Sequence, residues 1–306
     1  MFNLFLLQAL NGVQFGVLLF LVAAGLTLVF GVMDVINLAH GALYMVGAYF
    51  CAAATAWSGS FAVGLLLALP ASLAFGIVLE RLVFRRLYAR DHLDQVLATF
   101  GLILMIDEGV RTIWGSAPMS VAMPEALSGS IPLIGTLRYP VYRLAIIGAG
   151  LGAAVGLSVL VGRTRAGMRL RAGASNAAMV SALGVDVGRL FMLVFGLGAV
   201  LAGFAGAMVA PILSVDPGMG DGVLIPVFVV IVIGGVGSVR GAFVAALLVG
   251  LLDTLGRTFG PIVLRSLLDP AAASQAGRTL APMLIYLLMA GVLAVRPAGL
   301  LGARAR

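Results

Sequence analysis

Residues 12–31 read GVQFGVLLFLVAAGLTLVFG, with no ionisable side chain anywhere in the run. A helix rises about 1.5 Å per residue, so twenty such positions reach about 30 Å, the thickness of a bilayer's hydrocarbon core. Eight further apolar runs follow at about 37–56, 62–80, 95–113, 141–161, 191–210, 222–235, 242–258 and 280–296. A membrane barrel would show short segments of alternating polarity instead. The pattern predicts an all-α, polytopic transmembrane helical bundle of about nine spans, built as a single transmembrane domain over residues 1–306. Residues 1–11 read as an amphipathic lead-in, and no A-x-A-like site predicts removal of the first span.

Composition agrees with a lipid solvent. The chain is 62% hydrophobic and 10% charged, with a mean hydropathy of +1.15. A soluble domain carries about a quarter charged residues, because its surface must face water. The basic residues are all arginine, and their placement sets orientation. The connection near 81–94 holds Arg81, Arg85, Arg86 and Arg90, and that near 162–190 holds Arg163, Arg165, Arg169, Arg171 and Arg189. Arg240, Arg296, Arg304 and Arg306 complete one side. Arg111, Arg138, Arg143, Arg257, Arg265 and Arg278 lie on the other. Nine spans with the amino terminus outside put every richer connection in the cytoplasm, as the positive-inside rule requires.

Several chemistries are disfavoured. No G-x-x-x-x-G-K-[ST] is present, and the chain has no lysine, so a Walker site of the usual form is excluded. The run Gly234–Gly241 superficially suggests a dinucleotide loop, but Arg240 stands where the last glycine belongs. The two histidines, His40 and His92, are not in metal-ligand spacing. Asp107 and Asp253 are the weak candidates for membrane-enzyme chemistry. The single cysteine, Cys51, reads as a small packing residue. The net charge of +7 comes without aromatic interleaving, which disfavours nucleic acid.

The most informative interruption is Asp34-Val35-Ile36-Asn37-Leu38-Ala39-His40-Gly41-Ala42, which places an acid, an amide, an imidazole and a glycine between two apolar runs. An ordinary loop would account for it; so would a broken or re-entrant helix, because polar groups at membrane depth are costly and usually face a pathway. Asn37 and His40 share one face if the stretch is helical. Gly234-Gly235-Val236-Gly237-Ser238 makes a second interruption, and the two stand in separate halves of the chain, as in transporters built from repeats. In the cytoplasmic loop, Ala174 through Gly184 reads as a short helix ending on a C-cap glycine. Its modest apolar residues suit docking onto another protein.

Four blocks carry a family resemblance. They are Gly25-Leu26-Thr27-Leu28-Val29-Phe30-Gly31-Val32; Val35 to Gly41 with Tyr44-Met45-Val46-Gly47-Ala48-Tyr49; Thr164 to Arg169 through Leu183-Gly184-Val185; and Gly234 to Ala242, followed by Arg296-Pro297-Ala298-Gly299-Leu300-Leu301-Gly302. In this order they resemble the permeases of branched-chain amino acid ABC importers, specifically the LivH-type subunit. The resemblance implies a permease paired with a second, LivM-like permease and two cytoplasmic ATPase subunits. A periplasmic or lipid-anchored solute-binding protein would deliver solute across the bacterial inner membrane. No cofactor would be bound directly; ATP and Mg would act through the ATPases. The loop helix would be the coupling helix, with Arg171, Ser175, Asn176, Met179, Leu183 and Gly184 at the ATPase surface. Asn37, His40, Gly41, Gly235, Gly237 and Ser238 would lie along the translocation pathway. The chain departs from the pattern at Ser175-Asn176, where relatives carry Gln-Asp or Asn-Asp. Relatives of this architecture also carry urea, short amides or aromatic acids. The rival outside the family is a stand-alone channel or secondary transporter, which would place ionisable coupling residues within its spans.

Overall fold

The computed structural model describes residues 1–134, 137–265 and 269–302; Arg304 and Arg306 lie outside the described residues, as does the side chain of Arg278. The chain is overwhelmingly helical: α1 (Phe2–Met33), α2 (His40–Ser58), α3 (Phe61–Leu79), α4 (Arg85–Leu87), α5 (His92–Trp114), α6 (Val141–Arg163), α7 (Arg165–Ser175), α8 (Ala177–Ala182), α9 (Val187–Val209), α10 (Met219–Gly234), α11 (Val239–Leu264) and α12 (Pro270–Val295). A π-helical turn, Glu80–Phe84, joins α3 to α4 without a break. One antiparallel hairpin, β1 (Ser130–Ile134) with β2 (Leu137–Pro140), lies in the segment before α6.

Among the described residues, six helical stretches are long and apolar enough to cross a membrane: Phe2–Met33, Phe61–Leu87, Val141–Arg163, Val187–Val209, Val239–Leu264 and Pro270–Val295. α10 is apolar but has only 16 residues. The expected lead-in is absent as a separate segment, because residues 2–11 continue the first helix without interruption.

The chain forms two compact units, Met1–Phe20 with Glu125–Leu151 and Pro226–Arg306, and Leu21–Pro124 with Gly152–Ile225. In the first, the amino-terminal half of α1 packs on α11 through glycine. A Cβ at Gly12 would lie 2.9 Å from Leu251 Cα, and one at Gly16 would lie 2.7 Å from the Ala246 carbonyl oxygen. Phe20 meets Phe243 edge-on at 5.1 Å. Tyr139 donates to the Asn11 side-chain carbonyl at 3.2 Å, and Arg143 donates to the same oxygen.

The second unit is built around α2, buried from His40 through Tyr49. α3 and α9 press against it at residues without side chains. An added Cβ on Gly47 would meet the Gly203 carbonyl carbon of α9 at 2.7 Å, and one on Gly64 of α3 would meet the Cys51 carbonyl oxygen at 2.9 Å; α3 and α9 also meet each other, where a Cβ on Gly76 would lie 2.5 Å from the Ala199 Cβ. Lipid supplies no hydrophobic drive between helices, so contact of this closeness is what holds such a bundle together. Cys51 is buried as expected. Glu80 is 1% exposed and accepts a 2.6 Å hydrogen bond from the Tyr88 hydroxyl. Burial first, then that carboxylate, hold the Tyr88 hydroxyl well above its usual range.

Candidate functional site: a broken span, a glycine turn and an exposed helical elbow

The stretch 34–39 is not helical. α1 ends where the Asp34 N–H bonds to the Phe30 carbonyl at 2.9 Å, with Asp34 itself left-handed at φ 52°. The chain then runs back along α1, since the His40 ring lies beside Val22 and Gly25; a Cβ on Gly25 would come within 2.9 Å of His40 Nε2. Gly25 is eight residues from the end of α1, about 12 Å along its axis. The link is therefore a non-helical return, ending in a turn at residues 38–39, that carries Asn37 and His40 well inside the unit, and both are fully buried. Neither atom of the Asn37 amide has a hydrogen-bond partner among the described residues. The expected common helical face of Asn37 and His40 does not form, because helix resumes only at His40.

Two residues that sequence reading passed over hold this link. Gln95 Oε1 accepts from the Ile36 N–H at 3.1 Å, and Thr99 Oγ1 accepts from the Leu38 N–H at 3.3 Å. The Gln95 amide also donates to the carbonyls of Leu87 and Arg90. The available signal was their spacing: two polar residues four apart on one face of an apolar helix. Gly41 packs against Gly220, where an added Cβ would lie 2.5 Å from the carbonyl oxygen.

Gly235, Gly237 and Ser238 belong to the other unit. Gly235 and Gly237 have φ of 95° and 79°, values that L side chains rarely adopt. The Ser238 hydroxyl accepts from the Gly241 N–H at 3.1 Å and caps α11. The end of α10 is closed from elsewhere in the chain, with Leu300 N–H bonding to the Ile233 carbonyl at 2.8 Å and Leu301 N–H to the Gly234 carbonyl at 3.1 Å. The 234–242 and 296–302 blocks are thus one physical element.

The cytoplasmic loop of the sequence reading is an elbow of two helices. Thr164 caps α7, accepting from the Gly167 N–H at 3.0 Å, while Gly167, Leu170 and Gly173 are buried. The expected helix over 174–184 is interrupted at Asn176. Its side chain accepts from the Met179 N–H at 2.9 Å, so it ends α7 and starts α8. Asparagine favours this local bond over an interior helical position. Gly184 takes the left-handed φ of 84° expected of a C-cap, with the Val185 N–H reaching the Val180 carbonyl. Val180 anchors α8 inward, whereas Met179 is 59% and Leu183 75% exposed. Arg171, Ser175 and Asn176 are exposed beside them.

Helices of membrane length packed through glycine, a broken segment carrying buried polar groups, and an exposed apolar elbow define a multi-pass membrane transport subunit. The chain belongs to the family described as the branched-chain amino acid transport system permease component, whose profile matches residues 8–301. It is 28% identical over 277 residues, 84% of this chain and 88% of the relative, to the high-affinity branched-chain amino acid transport system permease protein LivH of Escherichia coli. To BraD of Pseudomonas aeruginosa, which carries the same description, it is 30% identical over 266 residues, 82% of this chain and 86% of that one. A probable LivH of Methanocaldococcus jannaschii is 25% identical over 247 residues, covering 78% and 76%. No solved structure matches the chain.

Proposed function

We propose that this chain is one transmembrane permease domain, residues 1–306, of an ABC importer for branched-chain amino acids in the bacterial inner membrane. The substrate reading rests on the relatives' descriptions. A second permease stands beside the chain, two ATPases bind it from the cytoplasm, and a solute-binding protein delivers from the other side. The chain hydrolyses no ATP itself. Nine spans are counted from α1, α2, α3, α5, α6, α9, α10, α11 and α12, with the link 34–39 forming the inner part of the second.

The observation that carries this reading is the elbow. α8 turns Met179 and Leu183 outward, an arrangement that disfavours solvent and suits a protein groove. Closure of the ATPases on ATP would push α8, and α7 is packed against α9 by the Leu190 side chain at Gly173. α9 in turn packs on α2, so force at the elbow reaches Asn37, His40 and Gly41, which we place on the translocation pathway. Gly235, Gly237 and Ser238 serve that pathway indirectly, by fixing the turn on which α10 and α11 meet. Arg171, Ser175, Asn176 and Gly184 shape the ATPase contact around Met179 and Leu183.

The test is reconstitution of the full complex in proteoliposomes with a panel of amino acids, urea and amides. ATP-dependent uptake of leucine, isoleucine or valine that requires the binding protein is expected. Uptake by this chain without ATPases would contradict it.

A further inference from the structure

An apolar groove of about 670 Å³ opens in the second unit, walled by Leu28, Leu73, Leu170, Leu193, Leu197 and Val200, with Arg169, Asp186 and Arg189 at its rim. A second hollow of about 330 Å³ shares Asp186 and Arg189 with it and is otherwise lined by Glu80, Arg81, Arg85, Gly188 and Met192. The apolar groove thus borders, at Asp186 and Arg189, a pocket rich in guanidinium groups. The carboxylates there are already engaged. Glu80 accepts from Tyr88, and Asp186 pairs with Arg189 at 3.0 Å while capping α9. Arg81 and Arg85 make no ion pair with either carboxylate, and both are exposed. Gly188 leaves room for the Arg85 guanidinium to lie over the first turn of α9, where a Cβ would meet Nη2 at 2.8 Å. Four arginines against two carboxylates leave the rim positive.

From this adjoining groove and pocket we infer a binding site for an anionic glycerophospholipid, one acyl chain lying in the groove and the phosphodiester seated among Arg81, Arg85 and Arg189. The charge selects the lipid: guanidinium forks match phosphate oxygens, and a zwitterionic headgroup offers no net charge to exchange. The positive-inside orientation puts the site in the cytoplasmic leaflet. A protein occupant fits less well, since the outward apolar residues of the elbow, Met179 and Leu183, do not line the groove. The groove wall does include Gly184 and Val185, the link from α8 to α9. A bound lipid therefore stiffens the root of the elbow.

The test uses the assembled complex containing this chain, equilibrated with vesicles of phosphatidylethanolamine and phosphatidylglycerol and then read by native mass spectrometry of retained lipid. Retained phosphatidylglycerol enriched over its bulk share by on the order of tenfold or more is expected, falling as salt is raised. Joint Arg81→Gln, Arg85→Gln and Arg189→Gln substitution brings the enrichment to about one, whereas the matching lysine variant keeps most of it. Leu197→Trp fills the groove and lowers retention of both lipids. Bulk proportions in the wild-type complex, enrichment indifferent to salt, or an unchanged preference in the glutamine variant overturn the proposal. Displacement of the lipid by millimolar inorganic phosphate would reduce the site to a simple anion pocket. Retention by the isolated chain but not by the complex would assign the groove to a partner subunit.

Discussion

At the scale of single residues, the broken second span depends on a few side chains under unusual demands. Asp34 is the only described non-glycine residue with positive φ. A β-branched residue there would be strained by about 1–2 kcal/mol, whereas glycine would be relaxed. Asp34→Gly should therefore keep the wild-type melting temperature in detergent and Asp34→Val should lower it by several degrees; equal melting of both would remove the role assigned to that turn. Asn37 is buried with its amide unpaired, an arrangement that costs about 1–3 kcal/mol in a sealed core. It is consistent with a path for a hydrogen-bonding solute. Asn37→Leu and His40→Leu should reduce uptake in proteoliposomes at least severalfold while assembly stays near wild type. Undiminished uptake would return both to packing. These two positions were legible in the sequence because polar groups inside an apolar run stand out. The spacing of Gln95 and Thr99 marks a polar face, but hydrogen bonds spanning about sixty residues leave no local sign of which backbone that face holds.

Elements show the same division between what local pattern reveals and what packing decides. Gly196, Gly198, Gly203 and Gly206 in α9 mark a helix able to pack closely, but glycine spacing does not say that Gly203 meets Gly47. Gly47→Leu would drive a side chain into the backbone of α9, so complete loss of folded protein in the membrane is expected. Normal yield of that variant would mean the two helices do not touch. The elbow was foreseen as one helix because the run 174–184 lacks proline or internal glycine. It is two because Asn176 captures an N–H of the next turn, a choice settled by side-chain geometry. Met179→Glu with Leu183→Glu should leave insertion and basal ATP hydrolysis of the complex intact while uptake falls to background. Uptake near wild type would dismiss the elbow as the transmitting element.

For the whole molecule, apolar run length points to a helical membrane protein, and each predicted run falls on a helix, but among the described residues only six of those helices are long and apolar enough to cross a membrane. The hairpin of β1 and β2 lies in a proline-bearing connection between two apolar runs, where no alternating pattern announces a strand pair. Also hidden was the meeting of the 234–242 turn with residues 299–302, which makes the carboxy-terminal motif the cap of α10 rather than a loose tail. Gly299, at φ 80°, packs so that a Cβ would lie 2.5 Å from the Gly235 nitrogen. Gly299→Leu should therefore destabilise the protein in thermal unfolding, by about 1–3 kcal/mol for the turn strain alone; wild-type melting would separate the two motifs. The proposed transport mechanism requires residues 165–184 to face the cytosol and receive force from an ATPase. Leu183→Cys in a Cys51→Ala background, treated with a short bifunctional thiol reagent, tests it most directly. A crosslink to an ATPase subunit whose yield changes with nucleotide is expected, whereas labelling of that cysteine from outside the cell, with no crosslink under any nucleotide condition, would rule the mechanism out.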